Sequence, residues 1–182
     1  MHWRNTSKGY GWIAIGLHWL VALAVFGLFG LGLWMVELTY YDPWYRQAPG
    51  IHKAVGILLF LVVAGRLVWR WINPSPAPRG SRFERIAARL VHGLLYALLF
   101  VLMAAGYLIS TADGSAIDVF GLLKVPAVIS DLPNQEDVAG LVHQWLAWTL
   151  IALVGLHTAA ALKHQFIDRD GTLARIVRPE KP

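Results

Sequence analysis

Residues 141–166 read LVHQWLAWTLIALVGLHTAAALKHQF, a run long and apolar enough to cross a bilayer that also carries three histidines, His143, His157 and His164. An imidazole can ligate a metal, bond to a neighbouring helix or move a proton near neutral pH. In hydrocarbon its nitrogens are costly unless satisfied, so a membrane histidine faces the other helices and has a definite partner. Fourteen residues of α-helix turn through about 1,400°, which leaves His143 and His157 about 40° apart on one face and about 21 Å apart along the axis. For one such histidine a hydrogen bond to a neighbouring helix suffices. Two at this spacing suggest metal ligation, provided that other histidines lie at the same two depths. The chain has seven histidines and no cysteine. That composition excludes disulfides, iron–sulfur clusters and thiolate metal sites, and leaves His, Met and carboxylates to hold any cofactor.

The elements that must position these rings follow from composition. Of 182 residues, 57% are hydrophobic and only 15% charged, and the mean hydropathy is +0.51, which points to an integral membrane protein. Four apolar stretches, roughly 11–36, 52–72, 84–110 and 138–166, can each cross about 30 Å of hydrocarbon at about 1.5 Å rise per residue. Residues 1–182 are read as one transmembrane domain, an all-α four-helix bundle. The breaks YYDPWYRQAPG, NPSPAPRGS and TADGSAIDVFGLLKVPAVISDLPNQED are rich in proline, glycine and polar residues, and the last has room for a short surface helix. The first stretch follows Arg4 and Lys8 as a signal peptide would. Its length, its lack of a small-residue cleavage site and His18 mark it instead as a mature helix.

Orientation follows from Lys and Arg. Thirteen of the sixteen lie before the first stretch, around the second connection or after the fourth, and only Arg46, Lys53 and Lys124 belong to the other side. Both termini are therefore expected in the cytoplasm of a bacterium, with the opposite face in the periplasm of the inner membrane. The net charge of +5 suits a membrane surface and not nucleic acid, because the basic residues flank apolar runs.

With this orientation the histidines pair across helices. His18 and His157 fall near the cytoplasmic side, His52 and His143 near the periplasmic side. Each pair can supply the two axial nitrogens of a b-type haem, giving two haem b groups in slots between helices; covalent c-type attachment would require C-x-x-C-H. Gly16, Gly27, Gly30, Gly56, Gly65, Gly93, Gly106, Gly140 and Gly155 would let a flat macrocycle approach the backbone, or serve helix packing. His164 lies 21 residues from His143, about 31 Å along the helix, too far for both to ligate within the hydrocarbon. Beside Lys163 at the cytoplasmic interface it suits a quinone headgroup, which is protonated as it is reduced, or it is a snorkelling interfacial residue. His92 suits an alternative inner ligand, a quinone contact or a buried hydrogen-bonded residue, and His2 receives no role. Arg66 suits a haem propionate or snorkels to the interface; Lys53 suits a propionate of the outer haem, an anionic reactant or an ordinary surface position. Trp145 and Trp148 flank His143 as candidate walls of the outer haem, while Trp12, Trp69, Trp71, Trp34 and Trp44 read as belt anchors.

The stretches GLHWLVALAVFGLFGLGLWM, IHKAVGILLFLVVAGRLVWR, RLVHGLLYALLF, VHQWLAW and GLHTAAALKHQF together resemble the bacterial cytochrome b561 family of small four-helix, di-haem membrane proteins. The resemblance covers nearly the whole chain. It implies axial ligation by His18, His52, His143 and His157, a quinone site near His164, and electron transfer between the periplasmic face and the quinone pool. One branch of that family oxidises superoxide and reduces ubiquinone; GYLISTADG and FGL make this chain similar to another branch. Three readings compete. They are a di-haem quinone oxidoreductase with superoxide as a donor, a non-catalytic electron-transfer anchor for a carrier protein or dehydrogenase, and a metal-ion permease. The last fits worst, since Met35 and Met103 are not arranged with the histidine pairs.

Overall fold

The computed structural model describes residues 3–179, so His2 and Lys181 lie outside it. Its long helices are α1 (Trp12–Met35), α2 (Gln47–Ile72), α3 (Arg82–Ser110) and α4 (Gln135–Phe166); a single-turn helix, α5 (Ala174–Val177), follows them. All four long helices are apolar and long enough to cross a membrane, and the fold is an all-α membrane bundle. The protein covers little of their surface. In the most apolar window of α4 only 6% of the residues are buried, so lipid must shield the rest from water.

The helix ends refine the boundaries expected from hydropathy. α2 starts at Gln47, five residues before the expected position, and includes Pro49. Proline is tolerated in a first turn because the N–H it lacks has no intrahelical partner there. α4 starts at Gln135, not 138, with Glu136 and Asp137 in the first turn, where negative charge meets the positive end of the helix dipole. α3 opens on a capping box: the Ser81 amide donates to Glu84 Oε2 at 2.8 Å, and the Glu84 amide to Ser81 Oγ at 3.3 Å.

The connection between α3 and α4 holds no surface helix. Instead β1 (Ile117–Val119) pairs antiparallel with β2 (Leu123–Val125), setting Ile117 opposite Val125 and Val119 opposite Leu123. Ile117 and Val119 are buried while Asp118 between them is exposed. That two-residue period belongs to a strand and cannot form one face of a helix.

The chain gathers into two compact units whose boundary passes through all four long helices. One comprises the residues up to Val21, Val62–Ala97 and the chain from Leu150 onward, with Ile15, Val21, Val63 and Leu150 buried. Hydrogen bonds between distant parts of the chain lace it together. Asn5 Nδ2 donates to Pro74 O at 3.1 Å, Trp19 Nε1 to Ile176 O at 2.8 Å and Arg175 Nη1 to Ala77 O at 2.9 Å. The other unit comprises Ala22–Leu61 and Leu98–Thr149, with Ala54, Leu59, Leu98, Leu99, Ala105 and Ala139 buried. There the buried Gln135 amide ties the start of α4 to Leu108 O at 2.9 Å and Ile129 O at 3.3 Å.

Candidate functional site

Each unit brings together one of the expected histidine pairs. In the first, the rings of His18 on α1 and His157 on α4 have centroids 6.4 Å apart. In the second, His52 on α2 and His143 on α4 are 6.2 Å apart. Two metal–nitrogen bonds of about 2 Å each, with about 1 Å from nitrogen to ring centre on either side, span about 6 Å. Both pairs therefore have the separation at which opposed imidazoles could hold one iron between them.

The second pair is also oriented for that task. His143 Nδ1 lies 2.9 Å from Leu102 O. A carbonyl only accepts, so Nδ1 carries the proton and Nε2 keeps the lone pair a metal needs. Backbone proximity on α3 makes room for the ring: a Cβ on Gly106 would lie 3.0 Å from His143 Cε1 and 3.2 Å from Nδ1. On α1 a Cβ on Gly32 would lie 3.4 Å from His52 Cε1. His52 Nδ1 is buried and, among the described residues, without a hydrogen-bond partner. Of the glycines named from the sequence, Gly106 is the one that such close approach requires; a Cβ on Gly16, Gly27, Gly30, Gly56, Gly65, Gly93, Gly140 or Gly155 would meet nothing within 4 Å.

The first pair sits among more polar neighbours. Arg66 of α2 donates from Nη2 to His18 Nδ1 at 3.0 Å and stacks its guanidinium 5.5 Å from the Tyr96 ring centre. It is half-buried and points at the pair, not toward the interface. Because a guanidinium only donates, His18 Nδ1 accepts and the proton sits on Nε2. Ligation through Nε2 therefore requires Arg66 to release His18, and an acidic group beside Arg66 would draw it away. His92 of α3 lies 5.2 Å from His157, centroid to centroid, closer than a bis-imidazole metal clasp, and is half-buried.

Several sequence expectations are redrawn. Trp145 is 67% exposed and faces away from the protein, while Trp148 packs edge-on against Phe29 with centroids 5.0 Å apart. Neither is seen in a ring contact with His143. Trp69, read as a belt anchor, has a buried Nε1 without a partner among the described residues. Trp34 and Trp44 do pack together, 6.1 Å between centroids. Lys53 is exposed, and its charge, after the Ser115 amide and hydroxyl, helps hold the Asp113 carboxyl below its ordinary range.

Lys163 and His164 belong to a network at the end of α4 that sequence reasoning did not find. Lys163 Nζ lies 2.5 Å from Glu84 Oε1 and 2.7 Å from Asp168 Oδ2. His164 Nδ1 lies 3.0 Å from Asp168 Oδ2 and 2.9 Å from Asp170 Oδ2. Arg169 takes a left-handed φ of 54°, which turns the chain back so that the Asp170 amide closes on His164 O at 3.2 Å. Arg79 donates to the Asp170 carbonyl. Burial works to raise the Asp170 carboxyl, but the Thr172 hydroxyl and amide and then His164 outweigh it and hold it below its ordinary range. Gly80, with φ of 83°, passes so close that a Cβ would lie 2.8 Å from Glu84 Oε2 and 3.1 Å from His164 Cε1. The donor atoms of Glu84, His164 and Asp168 fall within 4.8 Å of one another, but the Lys163 ammonium already bonds both carboxylates. The available sequence signal was the i,i+4 step from His164 to Asp168.

Residues 9–179 match the family model for prokaryotic cytochrome b561. The chain is 50% identical to cytochrome b561 homolog 2 of Escherichia coli K12, over 97% of this chain and 95% of that protein. It is 30% identical to "Probable superoxide oxidase CybB" of Yersinia pestis, over 96% and 98%, and 27% identical to cytochrome b562 of Cereibacter sphaeroides, over 95% and 98%.

Proposed function

Because the chain belongs to the prokaryotic cytochrome b561 family, haem b-binding electron carriers of the bacterial membrane, we propose that it is a di-haem quinone oxidoreductase. One haem b would be held by His18 and His157, the other by His52 and His143. The observation that carries this reading is the pair of ring separations, 6.4 and 6.2 Å, each in a separate unit and each matched to a shared iron. Haem, when bound, supplies one-electron redox chemistry.

The chain's own residues would supply orientation, charge and protons. The Leu102 carbonyl fixes the ring plane and tautomer of His143. Arg66, which now bonds His18, would be the residue to pair with a haem propionate and keep that acid from standing as an uncompensated charge in hydrocarbon. At the end of α4, His164 is held through Nδ1 by Asp168 and Asp170, which leaves Nε2 to pass a proton. Ubiquinone takes up two electrons and two protons on reduction; His164 delivers protons, and the two aspartates replenish it from the aqueous side. Lys163, bonded to Glu84 and Asp168, holds α3 and the turn after α4 in place around that histidine. Lys53 stands at the other membrane surface, where its charge would draw an anionic donor toward His52.

The membrane is the bacterial inner membrane and both termini are cytoplasmic in this reading, supported by the concentration of Lys and Arg around the second connection and after α4. The name of the Yersinia pestis relative makes superoxide the first donor to try. Electrons would enter at the His52–His143 haem and leave from the His18–His157 haem to ubiquinone. The second reading, an anchor that relays electrons from a carrier protein or dehydrogenase, is favoured by the small connections between the helices, which leave little room for an elaborate substrate pocket.

The test is a dithionite-reduced minus oxidised spectrum with haem quantified per chain, followed by stopped-flow mixing with superoxide. Two haems per chain are expected. Haem reduction faster than superoxide dismutation supports the oxidase; two haems without it support the relay. A colourless preparation from haem-replete cells would sink both.

A further inference from the structure

The α3–α4 connection exposes apolar side chains that neither ring pair uses. Leu122 is 90% and Val128 80% exposed, and Phe120, Leu123, Ile129 and Leu132 are exposed with them. Asp118 and Lys124 are the only charges between Ala116 and Ser130. An apolar patch of this kind on a protein that spans a bilayer has either lipid or another protein to meet.

Two features favour lipid. The hairpin turn is strained so as to display an aromatic. The Leu122 amide donates to Val119 O at 3.1 Å, and both intervening residues are left-handed, Phe120 at φ 54° and Gly121 at φ 72°. Asn–Gly fits such a turn without strain, whereas a bulky residue in the first position is strained there. The Asp118 carboxylate accepts from the Gly121 amide at 2.9 Å and keeps the turn closed.

The return strand is then drawn alongside a membrane helix. The Tyr107 hydroxyl donates to Pro126 O at 2.8 Å and accepts from the Val128 amide at 2.7 Å. Tyr107 lies inside α3, three residues before its end, and helical side chains lean toward the N-terminus. For α3 that direction runs back along its membrane-spanning length. Thr111 Oγ1 donates to Ile129 O at 3.0 Å and fixes the next residue against the same end.

We infer that this connection is an interfacial anchor: Phe120, Leu122 and Val128 dip into the headgroup and upper acyl layer of the bilayer beside the Ser110 end of α3. The exposed apolar face is thereby continuous with the lipid-facing surface of α3, and its burial in lipid offsets the strain at Phe120.

The absence of cysteine makes the test direct. Leu122→Cys, Val128→Cys and, as a water-facing reference, Glu136→Cys are spin-labelled singly in the full haem-loaded chain in phospholipid nanodiscs. An unchanged Soret absorbance per chain certifies folding. Relaxation enhancement by oxygen, which concentrates in lipid, should exceed that by a water-soluble nickel chelate severalfold at 122 and 128, with the order reversed at 136. Nickel dominance at 122 and 128 would place the loop in water and overturn the inference. Exclusion of both reagents would mean coverage by protein and would overturn it equally.

Discussion

The two ring pairs have nearly the same separation, 6.4 and 6.2 Å, but they are held by different means. His143 is set by a backbone carbonyl and a glycine, and among the described residues no charged side chain hydrogen-bonds to its pair. His18 is set by a guanidinium, and its pair is adjoined by His92. A backbone-fixed ring is rigid and electrically quiet; a ring beside a cation feels a field that favours an added electron. Equal geometry therefore need not mean equal potential. With haem bound as proposed, the pair near Arg66 is expected to be the more oxidising of the two, which would direct electrons toward the end of the chain that carries His164.

Substitutions can separate the two sites. The largest effect is expected from His157→Ala, which should reduce haem from two to one per chain by pyridine haemochrome assay while leaving the other redox wave intact; His143→Ala should leave the opposite wave. Loss of both haems from either variant would show that the units are not independent. Gly106→Ala presses a methyl to 3.0 Å from the His143 ring. Such overpacking costs about 1–3 kcal/mol and should broaden or abolish the His52–His143 signal, whereas Gly32→Ala, at 3.4 Å, should perturb it less. Arg66→Gln should lower one midpoint potential by roughly 50–100 mV, the effect of a unit charge in a medium of effective dielectric about 20, and leave the other unmoved. An equal shift in both would erase the distinction drawn above.

The smallest effect concerns protons. Asp170→Asn should slow quinone reduction severalfold at alkaline pH, where protons are scarce, with little change in haem content. The Asp170 carboxyl is held below its ordinary value of 3.8, so its contribution to stability is fully present above pH 3.8 and lost as pH falls through the lower folded value. Acid unfolding followed by circular dichroism should show that loss in the natural chain and not in the variant.

The membrane helices and both histidine pairs were legible in the sequence because hydropathy and a fourteen-residue step are properties of single segments. The early start of α2 was not, because Pro49 and Gly50 read as breakers although a first turn accommodates them. Glu84 escaped notice because its partner Lys163 lies 79 residues away, and no local pattern reports that contact. The hairpin was obscured by Phe120, a residue that turn chemistry would not choose for a left-handed position. Trp145 misled because adjacency to His143 in sequence turns it about 200° around the helix, toward the outside.

One feature of α4 reaches back to the making of the protein. His143 and His157 both ride on this last long helix, so each ring pair joins a residue from the first third of the chain to one from its final quarter. A nascent chain released before residue 140 holds half of each pair and the whole of neither. If the pairs hold haem as proposed, premature termination would yield a fragment without a complete ligand pair, unable to retain at either site a redox-active iron that could leak electrons to oxygen during biogenesis.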